Sequence, residues 1–401
     1  MIPSKRAMLL LPVFVSLTGV SWSACNSEPS SGTDPTAEER IPTVHVEEIW
    51  RSSDHLLLSG VTDLAVDSRG RVYLADMDVG VILLSSSGGS WRSIGRKGGG
   101  PGEYEFISSL QVIDGDSLLI FDPSTRRVSV FEPDSGAFAY AHTLHRLPER
   151  QRIREIARVR GEARYVAVFP SPPEEPGGPP GGSSFVRLID KEGRIVRDSL
   201  VVVPPGEDLV VTEELGGRVR ASFQLSNPFG WQPTIRLKTD RIYYGRSDSL
   251  AIHIYDLEGN RIGGFSKSVS PRAITDQDVE REIEQIRDRA SSSQLPDGVH
   301  DQWIEQLEAN VPERWPAYRT FQVDDQGRIW VLPVGFPEDE EGPPAWRIYS
   351  PSGELLGRVA GTFPQAFANS RVYSATYDSL GVPTVAAYRI PAFPAGAASE
   401  P

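Results

Sequence analysis

The stretch GRKGGGPGEYEF, residues 95–106, suggests chemistry because glycine-rich loops can cradle phosphate groups. A Walker loop requires G-x-x-x-x-G-K-[S/T], whereas Lys97 precedes the glycines here and no Lys-Ser or Lys-Thr pair follows them. The stretch also lacks G-x-G-x-x-G, and no helical periodicity follows it to provide a helix N-terminus for an anion. We therefore predict a tight connection between strands, with glycines at positive φ.

The other residue types typical of catalysis form no recognisable linear motif. His142 and His145 are three residues apart, so on one strand they would point to opposite faces and could chelate together only if they lay in a turn. The sequence contains neither H-E-x-x-H nor G-x-S-x-G, and Asp76–Gly80 lacks the downstream Glu of an EF-hand loop. No catalytic, cofactor-binding or metal-ligating residue is therefore predicted.

Calcium is the one cation for which the sequence offers a possible binding site. Four consecutive acidic residues, Glu338 to Glu341, lie in the loop FPEDEEGPP and could bind Ca²⁺ weakly. A solvated acidic loop is the alternative interpretation.

The N-terminus predicts export. Lys5 and Arg6 precede an apolar run that is too short to span a membrane, so residues 1–24 are predicted to be a signal peptide. Cys25, the only cysteine, follows Ser-Ala in a segment that resembles a bacterial lipobox, which implies a lipid attached to Cys25. Trp22 stands where such boxes carry an aliphatic residue, so secretion without a lipid is the alternative.

Charge and composition restrict the partners. Lys plus Arg number 41 and Asp plus Glu number 54, giving a net charge of −13 that would repel nucleic acid. Residues 25–42 are polar and rich in Ser, Pro and Glu, which predicts a disordered tether, and 392–401 are predicted to be a disordered tail.

Two hairpin patterns recur along the rest of the chain. The first has an apolar strand, a polar turn with Gly and another strand; its copies are LLSSSGG (83–89), VFEPDSG (130–136), LIDKEG (188–193), IYDLEG (254–259) and IYSPSG (348–353). The second lies upstream and alternates with period 2; its copies lie at 64–76, 110–122, 235–245 and 321–332. Two hairpins make one four-stranded antiparallel blade, which is stable only when it is packed in a ring.

The repeat count predicts an all-β, six-bladed β-propeller over residues 43–391, at about 50 residues per blade. Five copies are clear, and the degenerate sixth at 371–390 shows only about three strands. The strand TVHVEEIW, residues 43–50, has no other partner. We expect it to complete the last blade and close the ring, which removes an exposed sheet edge.

Two stretches resemble NHL-type repeats and bacterial six-bladed β-propeller lipoproteins: residues 60–145, where GRKGGGPGEYEF lies between one repeat and the next, and residues 317–362. The resemblance is loose in blades 3 and 4, which have long loops and lack the glycine signature. It implies that residues 95–106 connect the end of one blade to the inner strand of the next. It also implies that a metallo-lyase would need several His in the channel, and the sequence does not place them there.

An insertion at 271–316, between blades 4 and 5, departs from the strand rhythm and predicts a helical hairpin. Thr275 and Asp278 resemble a capping box at its start. Apolar residues with helical spacing follow in two runs: Val279, Ile283, Ile286 and Ala290, then Val299, Trp303, Leu307 and Val311. The hairpin is either a lid over one mouth of the channel or a decoration that buries its apolar stripe on the propeller side.

Five residues in or near predicted loops or the insertion are candidate partner contacts, because exposed aromatic and Arg side chains often anchor interfaces. They are Tyr104, Arg126, Trp231, Trp303 and Trp315. Packing between blades is the alternative role for each.

Together these features favour a monomeric, non-catalytic propeller that binds a protein, peptide or glycan at the cell envelope. Its lipid anchor would hold it at the outer membrane, facing the periplasm or the surface. The first alternative is a hydrolase or lyase dependent on Ca²⁺ or another metal, which carboxylates, Asn or His converging in the channel would favour. The second is a passive scaffold in an envelope complex, which a large exposed apolar patch would favour.

Overall fold

The computed structural model describes residues 43–52, 56–148, 151–171, 182–215, 218–290, 295, 298–334, 345–378, 381–390 and 392–393. The predicted signal peptide, the lipid-attachment residue Cys25, the tether, the acidic loop at 336–344 and most of the C-terminal tail lie outside the described residues.

Six antiparallel blade sheets confirm the predicted propeller: five contain four consecutive strands, and the sixth contains three consecutive strands completed by a strand from the N-terminus. Blade 1 contains β3 (Val61–Val66), β4 (Val72–Asp76), β5 (Gly80–Leu84) and β6 (Trp91–Ile94). Blade 2 contains β9 (Ser109–Ile113), β10 (Ser117–Asp122), β11 (Arg127–Phe131) and β12 (Phe138–Thr143), and blade 3 contains β13 (Glu155–Arg158), β14 (Arg164–Phe169), β15 (Ser184–Asp190) and β16 (Ile195–Val203). A short pair, β7 (Arg96–Lys97) and β8 (Glu103–Tyr104), connects blades 1 and 2.

The second half of the ring has the same order. Blade 4 contains β19 (Pro233–Leu237), β20 (Ile242–Arg246), β21 (Leu250–Tyr255) and β22 (Arg261–Lys267). Blade 5 contains β23 (Tyr318–Val323), β24 (Ile329–Pro333), β25 (Ala345–Tyr349) and β26 (Leu355–Ala360), and blade 6 contains β27 (Ala366–Ala368), β28 (Arg371–Tyr377) and β29 (Pro383–Arg389). The first strands of neighbouring blades contact one another, so they form the inner ring.

The N-terminal segment closes the ring, as predicted, but as two strands and not as one. β2 (Glu47–Arg51) pairs antiparallel with β29 and becomes the fourth strand of blade 6. β1 (Thr43–His45) pairs parallel with β26 and adds a fifth strand to blade 5. The Arg51 guanidinium donates hydrogen bonds of 2.9 Å to the hydroxyls of Thr376 and Thr384, so the closing strand is fastened through side chains as well.

The core lies between the blades. Every residue of β4 is buried, because both of its faces are covered by neighbouring blades. Val72 and Leu74 pack with residues of blade 6, whereas Tyr73 and Ala75 pack with residues of blade 2. The period-2 alternation of a strand therefore distributes consecutive side chains between two adjacent cores.

The two ends of the ring differ. Short turns after the first and third strands of each blade lie at one end, which we call the turn face. The connections between blades, and those between second and third strands, lie at the other end, the loop face. Asp324 shows how a turn is held: its carboxylate accepts hydrogen bonds from the Arg328 side chain at 2.6 Å and from the Trp330 indole at 3.0 Å.

The insertion forms the predicted helical hairpin, α1 (Asp276–Ala290) and α2 (Val299–Ala309). Thr275 and Asp278 cap α1 reciprocally, because the backbone N–H of each donates to the side chain of the other. Hydrogen bonds from Arg272 hold the pKa of Asp278 well below its usual range.

A second insertion, between blades 3 and 4, was not predicted. It is the hairpin of β17 (Leu209–Leu215) and β18 (Arg218–Leu225). The apolar stripe of the helices packs against this hairpin in one cluster that includes Val211, Leu225, Ile283, Ile286, Trp303 and Leu307. We call β17, β18, α1 and α2 together the cap. Both of its parts are inserted in connections between blades, so the cap belongs to the loop face.

The closing strand generates a prediction about stability. A chain that begins at residue 52 lacks β1 and β2, and we expect its free energy of unfolding to fall by at least about 2 kcal/mol, the order of burying one large side chain such as Trp50. It should also aggregate through the exposed edge of β29. Chemical denaturation and size-exclusion chromatography measure both effects. A chain that begins at residue 43 is the matched control, and equal stability of the two chains would contradict the assigned closure.

Candidate functional site

Polar side chains of the first strands form a chain of contacts around the channel. The Asp63 carboxylate in blade 1 accepts a hydrogen bond of 2.6 Å from the backbone N–H of Leu110 in blade 2. The Gln111 side chain in blade 2 accepts one of 2.7 Å from the N–H of Arg158 in blade 3. Each of these side chains therefore satisfies a backbone group on the unpaired inner edge of the next blade.

Contacts from each blade to the next one continue through blades 3 to 5. The backbone N–H of Leu237 in blade 4 interacts with the Glu155 carboxyl group in blade 3 and favours its charged form. The Arg236 guanidinium donates to the side chains of Gln322 at 2.8 Å and Thr320 at 3.1 Å in blade 5. The Lys238 ammonium, at the end of the same strand, donates to the carbonyl of Val323 at 2.8 Å.

Burial disfavours the charged form of these groups. It raises the pKa of Asp63 to about 7, and repulsion by Glu155 adds to the effect. Burial also raises the pKa of Glu155, although the positive charges of Arg236 and Arg154 oppose the shift. Burial lowers the pKa of Arg236 and of Lys238 for the same reason. In the channel, Glu155 thus interacts electrostatically with the carboxyl group of Asp63 and with the cationic groups of Arg236 and Lys238.

Paired carboxyl groups with raised pKa values are a known arrangement for acid–base catalysis, so the channel is a candidate site. Metal binding fits it less well. Among the described residues, no group of three or more His, Cys, Asp and Glu side chains is placed to hold a metal ion. Asp63 moreover accepts backbone N–H groups with both oxygens, from Leu110 and from Leu64 at 2.9 Å.

The glycine-rich connection at 95–106 binds a carboxylate from its own sequence. The Glu103 carboxylate accepts hydrogen bonds of 2.7 Å from the Gly100 N–H and from the Arg96 side chain. Gly98 and Gly102 have φ values of 148° and 75°, so the predicted positive-φ glycines are confirmed. A carboxylate therefore lies where a phosphate-binding loop would hold its ligand.

Three of the predicted contact residues are buried. The Tyr104 hydroxyl donates to the Ile94 carbonyl and accepts from the Val81 N–H, both at 2.9 Å, so Tyr104 joins the core between blades 1 and 2. Trp303 and Trp315 belong to the apolar cluster of the cap. These three side chains lack the exposure that made them candidate contacts, and they serve packing in this structure.

The other two contact candidates retain partial exposure. Trp231 lies under the guanidinium of Arg246, 4.2 Å from the ring centroid, and the Arg126 side chain donates to the Leu147 carbonyl at 2.9 Å. Their role as partner contacts stays a prediction.

Exposed apolar side chains lie on the loop face away from the cap. Leu57, in the connection to blade 1, is 78% exposed, and Met77, in the following turn of that blade, is 55% exposed. Asp76 fastens the two segments together, because its carboxylate accepts the N–H groups of Ser59 and Gly60. Other exposed apolar residues on this face are Val79, Phe363 and Val382.

Sequence reasoning missed the channel residues, since each blade contributes one or two of them and no linear motif connects them. Glu155 carries no such signal either, because it is the first residue of β13 and directly follows Arg154.

No protein-family model matches the sequence, and comparison with curated proteins finds no significant relative. Solved structures with a similar arrangement include a Bacteroides fragilis protein thought to be exported, 12% identical, with a TM-score of 0.46 over 90% of this chain and 98% of that one. Regucalcin, a calcium-binding protein of Agrobacterium tumefaciens, is 14% identical, with a TM-score of 0.40 over 88% of this chain and 99% of that one. The WD40 repeats of RRP9 are 12% identical, with a TM-score of 0.41 over 87% of this chain and 100% of that one.

At these identities the comparisons carry no argument about function. Neither helix in the described part of the chain has the length and apolar character needed to cross a bilayer.

The raised pKa of Asp63 predicts a dependence of stability on pH. The folded chain binds this proton more tightly than the unfolded chain, so the contribution is present below about pH 4 and is lost as pH rises through about 7. We expect Asp63→Asn, which cannot ionise, to show a smaller loss of unfolding free energy between about pH 5 and about pH 8. Denaturant titrations at the two pH values measure it.

Asp116→Asn is the control for this experiment. Burial would raise the pKa of Asp116, but hydrogen bonds from Ser68 leave it lowered, so its titration lies below the tested range. This variant should keep the pH dependence of the wild type. An Asp63→Asn slope equal to that of the wild type would contradict the burial of a titrating carboxyl group.

Proposed function

We propose that this protein is a non-catalytic binding module held at the cell envelope, and that its loop face binds a protein or peptide partner. The main support is a difference between the polar channel and the apolar part of the loop face. The channel side chains Asp63, Gln111 and Arg236 form hydrogen bonds between blades. Leu57 and Met77 on the loop face instead expose most of their apolar surface to solvent.

The chemistry of the loop face favours a protein or peptide over a glycan. Exposed Leu and Met side chains lose unfavourable contact with water when an apolar partner covers them, and Met adapts to irregular surfaces. Trp231, half-buried on the same face, adds an aromatic group that either class of partner could contact. A glycan stays the alternative ligand.

The tether belongs to the same proposal. Lipidated Cys25 and residues 26–42 would connect the ring to the membrane, at the outer membrane facing the periplasm or the surface. β1 is the outermost strand of blade 5, so a tether ending at residue 43 would join the ring at its rim. Both faces would then be free to meet a partner.

Partner capture with surface variants tests the proposal. We expect crosslinking from envelope extracts to recover a specific partner with the wild type and to lose it with Leu57→Ser/Met77→Ser, because two apolar anchors are removed. Ile262→Ser is the matched control, since Ile262 is 52% exposed on the outer strand of blade 4. Equal recovery by the double variant and the wild type would refute docking on the loop face.

The two channel carboxyl groups favour a second candidate, a hydrolase or lyase with its site in the channel. Asp63 and Glu155 converge there, and their raised pKa values suit an acid–base pair. The metal-dependent form of this candidate, with Ca²⁺ or another ion, would need further ligands from residues outside the described ones or from a rearranged channel.

A further inference from the structure

A cleft of about 180 Å³ opens on the turn face, opposite the loop face. It lies where the first strands of blades 2 and 3 end and turn. Its lining consists of Val112, Ile113, Asp114, Gly115, Asp116, Arg158, Val159, Arg160 and Thr239. Three neighbouring blades therefore contribute to a single cavity that the proposed function does not use.

Two guanidinium groups line this cleft. The Arg158 side chain donates to the Glu162 carbonyl at 2.9 Å and to the Tyr140 hydroxyl at 2.8 Å, which are both neutral acceptors. The Arg160 side chain reaches only the Thr239 hydroxyl, at 3.4 Å. Within the described ranges neither side chain forms an ion pair, so each retains N–H donors that no protein carboxylate binds.

The acidic residues of the cleft are directed to other partners. One oxygen of Asp114 accepts the N–H of Gly161 at 3.0 Å. Both oxygens of Asp116 bind Ser68, at 2.9 Å from its N–H and 2.5 Å from its hydroxyl. These carboxylates fasten adjacent turns together, which leaves the guanidinium groups as the donors available to a ligand.

Further cationic and aromatic side chains lie close to Arg158. Burial lowers the pKa of His142, and the charges of Lys191 and Arg158 lower it further. His142 contacts the ring of Tyr140 at a centroid distance of 5.2 Å, and Tyr140 is 37% exposed beside Arg158. An aromatic surface thus borders a cationic one, on a chain whose overall charge is −13.

We propose that this cleft binds a small oxyanion, a ligand with a carboxylate or phosphate group, through Arg158 and Arg160. Guanidinium groups match both oxyanions in geometry and charge, and the exposed ring of Tyr140 could cover an adjoining carbon skeleton. Since Asp114 and Asp116 lie near the site, the affinity should be modest and should fall as salt increases. The inference does not depend on the proposed partner of the loop face.

Calorimetric titration of the folded protein at low ionic strength tests the site. The probes are inorganic phosphate and glucuronate, with glucose as the uncharged control. We expect binding of at least one anion, no binding of glucose, and a loss of about tenfold or more in affinity for Arg158→Gln/Arg160→Gln, because two charge-assisted hydrogen bonds are removed. Phosphate binding alone, or glucuronate binding alone, would identify which oxyanion the cleft takes.

Arg241→Gln is the matched control, since Arg241 lies on the corresponding turn of blade 4 and does not line the cleft. It should keep the affinity of the wild type, and thermal unfolding should show that all variants are folded. Binding that is unchanged in the double variant, or the absence of binding of either anion to the wild type, would overturn the proposal. Thermal stabilisation of the wild type by the bound anion, lost in the double variant, gives a second readout.

Discussion

The inner edge of each blade imposes the constraint on which the structure depends. The first strand of a blade pairs on one side only, so its other edge presents backbone groups towards the neighbouring blade and the channel, where they require partners. Asp63 and Gln111 supply those partners from the preceding blade, the Leu237 N–H interacts with Glu155, and Arg236 and Lys238 continue the series through side-chain and carbonyl contacts. Charged residues in the channel are therefore part of the architecture.

This constraint limits the availability of the channel side chains for binding or catalysis. A carboxylate that holds a neighbouring blade is less available to a substrate or ion, because removing its hydrogen bonds would leave a buried N–H without a partner. The ends of the blades are under no such restriction. One end is enlarged by the cap and exposes Leu57 and Met77, while the other consists of short turns around a cleft lined by two guanidinium groups that form no ion pair within the described residues. The two faces therefore expose different kinds of side chain to solvent.

The sequence predicts the repetitive part of the fold well. Alternation in segments such as Arg71–Ala75 marks strands whose side chains enter two cores, and the glycine turns mark the hairpins. The helical insertion was also predictable, because Thr275 and Asp278 encode the cap and the apolar spacing encodes the buried stripe. These features depend on residues close together in the chain.

Features that depend on distant residues were not predictable. In the sequence, β1 and β2 look like one strand. They are two strands because β1 pairs with β26 in blade 5 and β2 pairs with β29 in blade 6. The hairpin of β17 and β18 has the same alternation as a blade, so its role in the cap depends on contacts with the helices. The convergence of Asp63 and Glu155 likewise arises from ring geometry. Local pattern carries no information on such juxtapositions.

The metal content of the purified soluble form, residues 26–401, tests the central claim most directly. Elemental analysis after mild dialysis would compare the wild type with Asp63→Asn/Glu155→Gln, which keeps acceptors for the bonds between blades but removes both channel charges. The account predicts no stoichiometric metal in either protein. A stoichiometric Ca²⁺ or transition metal in the wild type that the double variant loses would contradict it and would establish the channel as a metal site.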